Sequence, residues 1–290
     1  MSKILMGRTE LIDIFPESGT GVLNPKSSRA WERLGQKSQP NWYLDPLVAR
    51  AKKHEHMRLI ERWLEGRTVS RILKTDLFEE AFGEDQLLFD LKADRGRYGV
   101  DLSFSAVHGA KARQPDSKLN CTMADLRALP FKARSFDLIV STSSLDHFMS
   151  KPEFDAAIEQ IVKVLAPGGI LIVTLDNLYN PLYFPLKWLS RFRWAPYPLG
   201  YTPSLGKLRK ILTSNGMSVL DTGCLIHNPR LISTALFLLL RRITGNRSSY
   251  IIEKTLKAFS LMDALPTRYI SACFVAVHAR KTVSSRNLSL

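Results

Sequence analysis

Polar side chains that could take part in acid–base chemistry follow two strongly apolar runs of the sequence. Asp146 and His147 come shortly after the run Phe136–Val140, and a second polar group follows the run Ile170–Leu175. A carboxylate or an imidazole in such a position can remove a proton from a bound molecule. An Asp-His pair can equally begin a helix, so the catalytic and the structural interpretation both stay open. The second group can orient a bound molecule and consists of Asp176, Asn177 and Asn180.

The two apolar runs have the length and the β-branched content of buried parallel strands. Between them, apolar residues recur at helical spacing from Phe154 to Leu165, and Pro167-Gly168-Gly169 ends the helix. This order predicts a strand–helix–strand unit, whose right-handed crossover places both carboxyl strand ends at one edge of a sheet. Ligands of such sheets bind at that edge, so the polar groups are expected in a ligand site.

Strands and helices alternate before this unit as well. Short strands are predicted at 71–76, 97–103 and 119–123, with a helix at 104–113, and a last strand is predicted at 269–279. This alternation predicts an α/β fold with a doubly wound, mostly parallel sheet.

Three regions are expected along the chain. Residues 1–67 hold a mobile arm over 1–40 and a helix that begins with Asp45 as its cap and Pro46 at its first position. Residues 68–177 form the core of the α/β fold, and residues 178–290 supply an insertion and the strands that complete the sheet.

The charge of the chain is unevenly distributed. The 290 residues carry a formal net charge of +14, and residues 178–290 hold 16 basic and three acidic side chains. This asymmetry predicts an anionic partner for the last third. Three scattered cysteines indicate reduced thiols and a cytoplasmic protein, and the apolar run Leu231–Leu240 is half the length of a spanning helix. No metal site is predicted, and the oligomeric state is left open.

Four motifs in order resemble the class I S-adenosylmethionine-dependent methyltransferases, in the branch called methyltransferase type 11. They are Gly99-Val-Asp101-Leu-Ser103, Ala124-Asp125-Leu-Arg-Ala-Leu-Pro-Phe131, Ser135-Phe136-Asp137 and Leu165-Ala-Pro-Gly-Gly169. The resemblance covers roughly residues 68–177. It implies a Rossmann-like sheet of seven strands, S-adenosylmethionine as the cofactor and methyl transfer as the reaction.

The resemblance also implies roles for individual residues. Asp101, followed by Leu102, would accept hydrogen bonds from both ribose hydroxyls of the cofactor, because a carboxylate makes such bonds charge-assisted. Asp125 would accept from the adenine amino group, with the backbone of Leu126 along the ring edge. The residues expected to face the methionine portion are Ser141 and Thr142.

The first motif departs from the family's pattern of an acid and a glycine-rich turn. This chain has Lys74-Thr75-Asp76-Leu-Phe-Glu-Glu80 instead, so bulky side chains replace most glycines. In one interpretation, Lys74 or Thr75 meets the cofactor's carboxylate and Asp76 or Glu80 meets its ammonium group. In others, the loop binds through its backbone alone, or the site has lost or altered cofactor binding.

The last third is expected to select the substrate. Aromatic residues alternate with Lys187, Arg191 and Arg193, and the apolar stretch 229–244 ends near Arg241-Arg242. Interfacial helices have this composition, but so do core helices with a basic rim. The leading hypothesis is methyl transfer to a small-molecule, lipophilic or lipid-linked acceptor by a cytoplasmic protein that can bind an anionic membrane surface peripherally. The alternatives are an inactive methyltransferase-like module that binds a membrane or protein, and, less favoured because no RNA-binding module is recognisable, a nucleic acid methyltransferase.

Overall fold

The computed structural model describes residue 32 and residues 45–114, 119–192 and 199–283, without the side chains of Arg230, Leu231 and Asn246. The predicted mobile arm therefore lies outside the described residues, except for Glu32.

Seven strands of the described chain form a single sheet in the order β3-β2-β1-β4-β5-β7-β6. The strands are β1 (Arg71–Lys74), β2 (Gly96–Asp101), β3 (Leu119–Met123), β4 (Phe136–Thr142), β5 (Leu165–Asp176), β6 (Met217–Leu225) and β7 (Phe274–Lys281). Neighbouring strands from β3 to β5 are parallel, and β7 is antiparallel to both β5 and β6. The prediction of a doubly wound, mostly parallel seven-stranded sheet is confirmed.

Helices cover both faces of this sheet. They are α1 (Pro46–Leu64), α2 (Phe78–Phe82), α3 (Phe104–Arg113), α4 (Lys151–Val164), α5 (Tyr183–Leu189), α6 (Leu205–Ser214), α7 (Arg230–Thr244), α8 (Ser248–Ser260) and α9 (Arg268–Ser271). Apolar residues of α4 and α6 pack with one set of strand side chains, and those of α1, α2 and α3 pack with the alternate set. Since successive strand residues point to opposite faces, these are the two sides of the sheet.

Two helices begin as their sequences predict. The side chain of Asp45 accepts a hydrogen bond from the backbone N–H of Leu47 at 2.8 Å, ahead of Pro46. Ser150 caps α4 in the same way, with Pro152 in the first turn. Such caps satisfy N–H groups that have no partner inside the helix.

The predicted last strand at 269–279 is only partly correct, because Arg268–Ser271 forms a helical turn and the strand begins at Phe274. Side-chain amides from the loop after β5 donate to the carbonyl oxygens of Tyr269, Ser271 and Ala272. These bonds satisfy carbonyl groups that would otherwise bond to a neighbouring strand.

Candidate active site

Hydroxyl groups from the ends of β1 and β4 meet at the carboxyl edge of the sheet. The Thr75 hydroxyl lies 3.0 Å from the Ser141 hydroxyl and 2.8 Å from that of Ser144. Ser144 and Thr142 both reach the Oδ2 atom of Asp76, at 3.1 and 3.4 Å. The predicted residues of the first motif and of the fourth strand end thus form one polar cluster, to which Ser144 adds a member that the sequence analysis did not single out.

Lys74 lies beneath this cluster. Its Nζ atom donates to the carbonyl oxygen of Asp76 at 2.9 Å, to Asp76 Oδ1 at 3.0 Å and to Glu80 Oε2 at 2.8 Å. Burial acts to lower the pKa of Lys74, but the charges of Asp76 and Glu80 outweigh it and raise that pKa. An ammonium group has three protons to donate, so Lys74 is already saturated by protein groups.

These contacts separate the candidate roles within the first motif. The side chains of Lys74 and Glu80 are 1% and 0% exposed, whereas that of Asp76 is 21% exposed. Glu80 Oε1 also accepts from the backbone N–H groups of Leu87 and Leu88, and burial raises the pKa of its carboxyl group. Of the charged residues predicted here, Asp76 is the one whose carboxylate is partly exposed.

Asp101 ends β2, beside the first motif. Its Oδ2 atom accepts from the backbone N–H of Leu77 at 2.9 Å, and its Oδ1 atom accepts from that of Ser103 at 2.8 Å. Burial raises the pKa of Asp101 to about 6, although these two hydrogen bonds act to lower it. Asp101 therefore carries a negative charge at neutral pH, and Leu102 beside it is half-buried.

Glu32 reaches the start of α3 from the N-terminal segment. Its carboxylate accepts from the Ser103 hydroxyl at 2.9 Å and from the Ser105 backbone N–H at 3.1 Å, and it also bonds the Ser105 hydroxyl. A carboxylate is favoured at this position because the N-terminus of a helix carries a partial positive charge. The sequence analysis missed Glu32, since nothing in the pattern of its neighbours sets it apart.

Asp125 follows β3 and is buried. Both of its carboxylate oxygens accept hydrogen bonds from the Arg127 guanidinium, and Oδ1 also accepts from the Arg127 backbone N–H at 2.9 Å. Arg127 in turn bonds Glu153 at 2.7 Å. Asp125 thus already has several donors within the protein, and the buried Leu126 packs in the core.

Asp146 and His147 form a 3₁₀ turn after β4. The buried Asp146 carboxylate accepts from the backbone N–H of Asp176 at 2.9 Å, and its carbonyl oxygen accepts from Gly200 at 2.7 Å. Asp146 thereby holds the turn against the end of β5, so this side chain positions the turn. His147 is half-buried in the same turn.

Asn177 and Asn180 use their side-chain amides inside the protein. Both donate to carbonyl groups of residues 269–272, and their own oxygens accept from the backbone N–H groups of Tyr179 and Leu182. Their predicted role of orienting an acceptor through hydrogen bonds therefore does not fit the geometry, because these groups already hold the loop after β5 against the segment before β7. Asp176 is buried at the end of β5.

A small apolar cavity of about 90 Å³ lies next to these asparagines. Helix α5 provides much of its wall and α7 contributes Ile232; the lining residues are Asn177, Asn180, Leu182, Tyr183, Pro185, Leu186, Ile232 and Cys273. The cavity follows the end of β5, at the same edge of the sheet as Asp76 and Asp101. Among the described residues, no cluster of three or more His, Cys, Asp and Glu side chains is suited to hold a metal ion.

Comparison with protein families gives a match at this part of the chain. The family described as "Methyltransferase domain" matches residues 81–173, about a third of the chain. This interval includes the ends of β2, β3 and β4 and lies just after Asp76.

Two characterised proteins are similar over shorter stretches. Arginine-hydroxylase NDUFAF5 from Danio rerio is 38% identical over 84 residues, which are 28% of this chain and 25% of that protein. Fatty-acid O-methyltransferase from Mycolicibacterium smegmatis is 26% identical over 98 residues, or 34% of each chain. The similarity spans a quarter to a third of the length of these relatives.

The fold is similar to that of solved methyltransferases. N-methyltransferase NodS from Bradyrhizobium japonicum WM9, solved in complex with S-adenosyl-L-homocysteine, has a TM-score of 0.55 and 17% identity, covering 87% of this chain and 98% of that one. At this identity the likeness concerns the fold alone, and it agrees with the strand order above. Residues 81–173 are therefore similar to the methyltransferase domain family, and the sheet that contains them has the fold of the solved methyltransferase.

Proposed function

We propose that the protein transfers a methyl group from S-adenosylmethionine to a small lipophilic acceptor. The observation that carries the proposal is the pairing of two carboxylates at neighbouring strand ends. Asp76 presents an oxygen among hydroxyl groups, and Asp101 is held by the backbone N–H of Leu77, the next residue in the chain. The methyltransferase domain match supports the same activity.

The residues at this edge fit the polar groups of the cofactor. An ammonium group needs acceptors, and Asp76 offers a partly exposed carboxylate that Lys74 holds in place. A ribose needs an acceptor for its two hydroxyl groups, and the ionised Asp101 is suited to that role. The cofactor's carboxylate needs donors, and the hydroxyls of Thr142 and Ser144 can serve if they turn away from Asp76, because each has a single proton to donate. Asp125 and the Leu126 backbone remain the proposed contacts of the adenine.

This assignment changes the proposed function of Lys74 in the variant motif. With all three protons donated to Asp76 and Glu80, Lys74 orients Asp76 and neutralises Glu80. Thr75 is buried and acts through its contacts with Ser141 and Ser144. Lys74 thus holds the Asp76 carboxylate in place for the ligand and neutralises the negative charge of the Glu80 carboxylate.

The cofactor, when bound, supplies a methyl group on a positively charged sulfur that a nucleophile can attack directly. The protein's main contribution is then to hold the acceptor in line and to exclude water. Where the acceptor is protonated at neutral pH, His147 is the proposed base, since Asp146 fixes the turn that carries it to the end of β5.

The apolar cavity supports a lipophilic acceptor. Its walls come mainly from aliphatic and aromatic side chains, and the amides of Asn177 and Asn180 are turned to the protein backbone. Ligand sites with walls of this kind favour apolar molecules. One relative is a fatty-acid O-methyltransferase by name, which makes fatty acids the first acceptors to test.

The test is a transfer assay with methyl-labelled S-adenosylmethionine and carboxylic acids and alcohols of increasing chain length. We expect label in the organic extract and stoichiometric S-adenosylhomocysteine, with Asp76→Asn at least about tenfold slower because its charge is lost. The matched control is Asp90→Asn, since Asp90 is exposed and pairs with Lys53. A folded protein that neither transfers label nor binds S-adenosylhomocysteine would contradict the proposal and favour an inactive methyltransferase-like module.

A further inference from the structure

Helix α7 leaves an apolar stripe on the surface. Ile232, Leu236, Leu239 and Ile243 recur at intervals of four, three and four residues, which places them along one side of a helix. Their exposed fractions are 58%, 55%, 55% and 71%. Another side of α7 is already packed, because Phe237 is buried in a cluster with α1 and α8. The exposed stripe is therefore not the core-facing side of this helix.

Helix α5, which lines the same cavity as α7, and Phe192 just after it also carry exposed aromatic side chains. Phe184, Trp188 and Phe192 are 64%, 59% and 43% exposed. The two helices border one groove, since the apolar cavity is lined by Leu186 of α5 and Ile232 of α7. We call the exposed apolar side chains of α5, Phe192 and the α7 stripe the α5–α7 face. Exposed apolar side chains clustered on two helices that meet at one cavity indicate an interaction site.

The charged side chains that α5 and α7 themselves carry are all basic. The chain has no acidic residue between Asp221 and Glu253, a stretch that contains the whole of α7, and none in α5. Arg191, Arg242 and Arg247 are exposed. Lys187 does not belong to this group, because its Nζ atom donates to the carbonyl oxygen of Gly200 at 2.6 Å.

We propose that the α5–α7 face docks on the surface of an anionic lipid bilayer. Aromatic and aliphatic side chains would enter the boundary between headgroups and acyl chains, while the arginines meet anionic headgroups. The absence of acidic side chains from α5 and α7 favours an anionic partner, and the mixture of Trp, Phe, Leu and Ile with Arg is typical of interfacial helices. Among the described helices, none is long and apolar enough to cross a membrane.

Docking in this orientation deepens the proposed function, and the entry of a lipophilic acceptor from the bilayer rests on that function. The rim of the cavity includes the exposed side chains of Leu182 and Ile232, so a lipophilic acceptor could pass from the bilayer into the groove without crossing water. Docking itself requires neither the cofactor nor the acceptor, so it can fail or succeed independently of methyl transfer.

Vesicle flotation tests the docking directly. The 290-residue protein is mixed with vesicles of phosphatidylcholine alone or with added phosphatidylglycerol, at low and at high salt. We expect binding to the anionic vesicles that falls with salt, because exposed charges are screened. The variant Leu236→Asp/Leu239→Asp should bind at least about tenfold more weakly, since it places charge in the apolar stripe.

Two control variants separate this face from nonspecific effects. Val283→Asp changes an exposed apolar residue beside Gly168, at the amino end of β5, and should bind like the wild type. Arg191→Glu/Arg242→Glu should weaken binding several-fold, whereas Arg209→Glu/Lys210→Glu on α6 should not. Circular dichroism and thermal unfolding establish that each variant is folded.

The proposal is overturned if the folded wild-type protein does not bind anionic vesicles. It is overturned as well if Leu236→Asp/Leu239→Asp and the Val283→Asp control bind them equally well. It is also overturned if sedimentation shows a dimer that Leu236→Asp/Leu239→Asp dissociates while vesicles are not bound, because the face would then join two copies of the chain. Calorimetry with S-adenosylhomocysteine, run in parallel, reports on the cofactor site separately.

Discussion

Lys74 Nζ and Glu80 Oε2 lie 2.8 Å apart, with side chains that are 1% and 0% exposed. This ion pair stands where the methyltransferase pattern has an acid and a glycine-rich turn. Leaving one member of a buried pair uncompensated is costly, because a single charge in the interior loses its hydration. The pair therefore couples the stability of the fold to the geometry of Asp76, which shares the Lys74 ammonium group.

We predict that Lys74→Met lowers the free energy of unfolding by about 3–5 kcal/mol, since it leaves Glu80 buried and unpaired. The double variant Lys74→Met/Glu80→Gln should recover more than about 1 kcal/mol, because Gln keeps an oxygen for the N–H groups of Leu87 and Leu88. Denaturant titration measures both. Lys53→Met, which breaks an exposed pair with Asp90, is the control and should change little. Additive effects of the two substitutions at 74 and 80 would show that the pair is not coupled.

A second prediction concerns pH and the affinity for S-adenosylhomocysteine. The pKa of Asp101 is raised to about 6, and the ionised carboxylate accepts from ribose hydroxyls more strongly than the neutral acid does. Affinity should therefore level off about one unit above pH 6 and fall as the pH drops through 6, by up to about tenfold per unit below it. Calorimetric titration between pH 5 and 7.5 gives the profile.

The control for this profile is Asp101→Asn, which has no group to titrate at that position. Its affinity should be low and independent of pH in the same interval. A pH profile that Asp101→Asn shares with the wild type would assign the titration to another group.

A third prediction tests the apolar cavity as the acceptor site. Leu186→Trp should partly fill the cavity and lower kcat/KM for long-chain acceptors by about tenfold, with S-adenosylhomocysteine affinity unchanged. Leu189→Trp, on the same helix but outside the cavity lining, is the matched control. Equal loss for short and long acceptors would indicate that the cavity does not hold the chain.

A fourth prediction concerns the link between α1 and α7. Asp45 caps α1 and also forms a bidentate ion pair with Arg241. Asp45→Asn keeps the cap and loses the charge, so it should cost about 1 kcal/mol of unfolding free energy, and Asp45→Ala should cost about 1 kcal/mol more. In a double-mutant cycle, Arg241→Met should couple to Asp45→Asn, whereas Arg242→Met should not. Independent behaviour of positions 45 and 241 would mean that the pair contributes nothing to stability.

The fold was predictable from local patterns. The bounds of α3 and β3 coincide with the predicted segments, because apolar spacing and caps are properties of neighbouring residues. The last strand was predicted five residues too early, because the turn at Arg268–Ser271 is fixed by Asn177, which lies 92 residues away from Tyr269. A pattern of neighbouring residues gives no information about a hydrogen-bond partner that lies so far away in the sequence.

The location of the site was predictable from the sequence, but the roles of its individual residues were less predictable. Asp76, Asp101 and Ser141 do lie at one edge of the sheet, as strand order requires. The partners that decide their chemistry are distant in sequence: Glu32 reaches Ser103 over 71 residues, and Thr75 reaches Ser141 over 66. For the same reason, only the folded structure shows that the donor hydrogens of Lys74 and of the Asn177 and Asn180 amides are all used within the protein.

We propose that Asp101 holds the cofactor at the end of β2, and calorimetric titration with S-adenosylhomocysteine at neutral pH tests this role most directly. We predict dissociation constants on the order of 1–10 μM for the wild type and at least about tenfold weaker binding for folded Asp101→Asn. The matched control is Asp137→Asn, whose carboxylate accepts from the Arg71 backbone N–H at the opposite edge of the sheet and whose affinity should be unchanged. Wild-type affinity in Asp101→Asn, or no binding by the folded wild-type protein, would contradict the account.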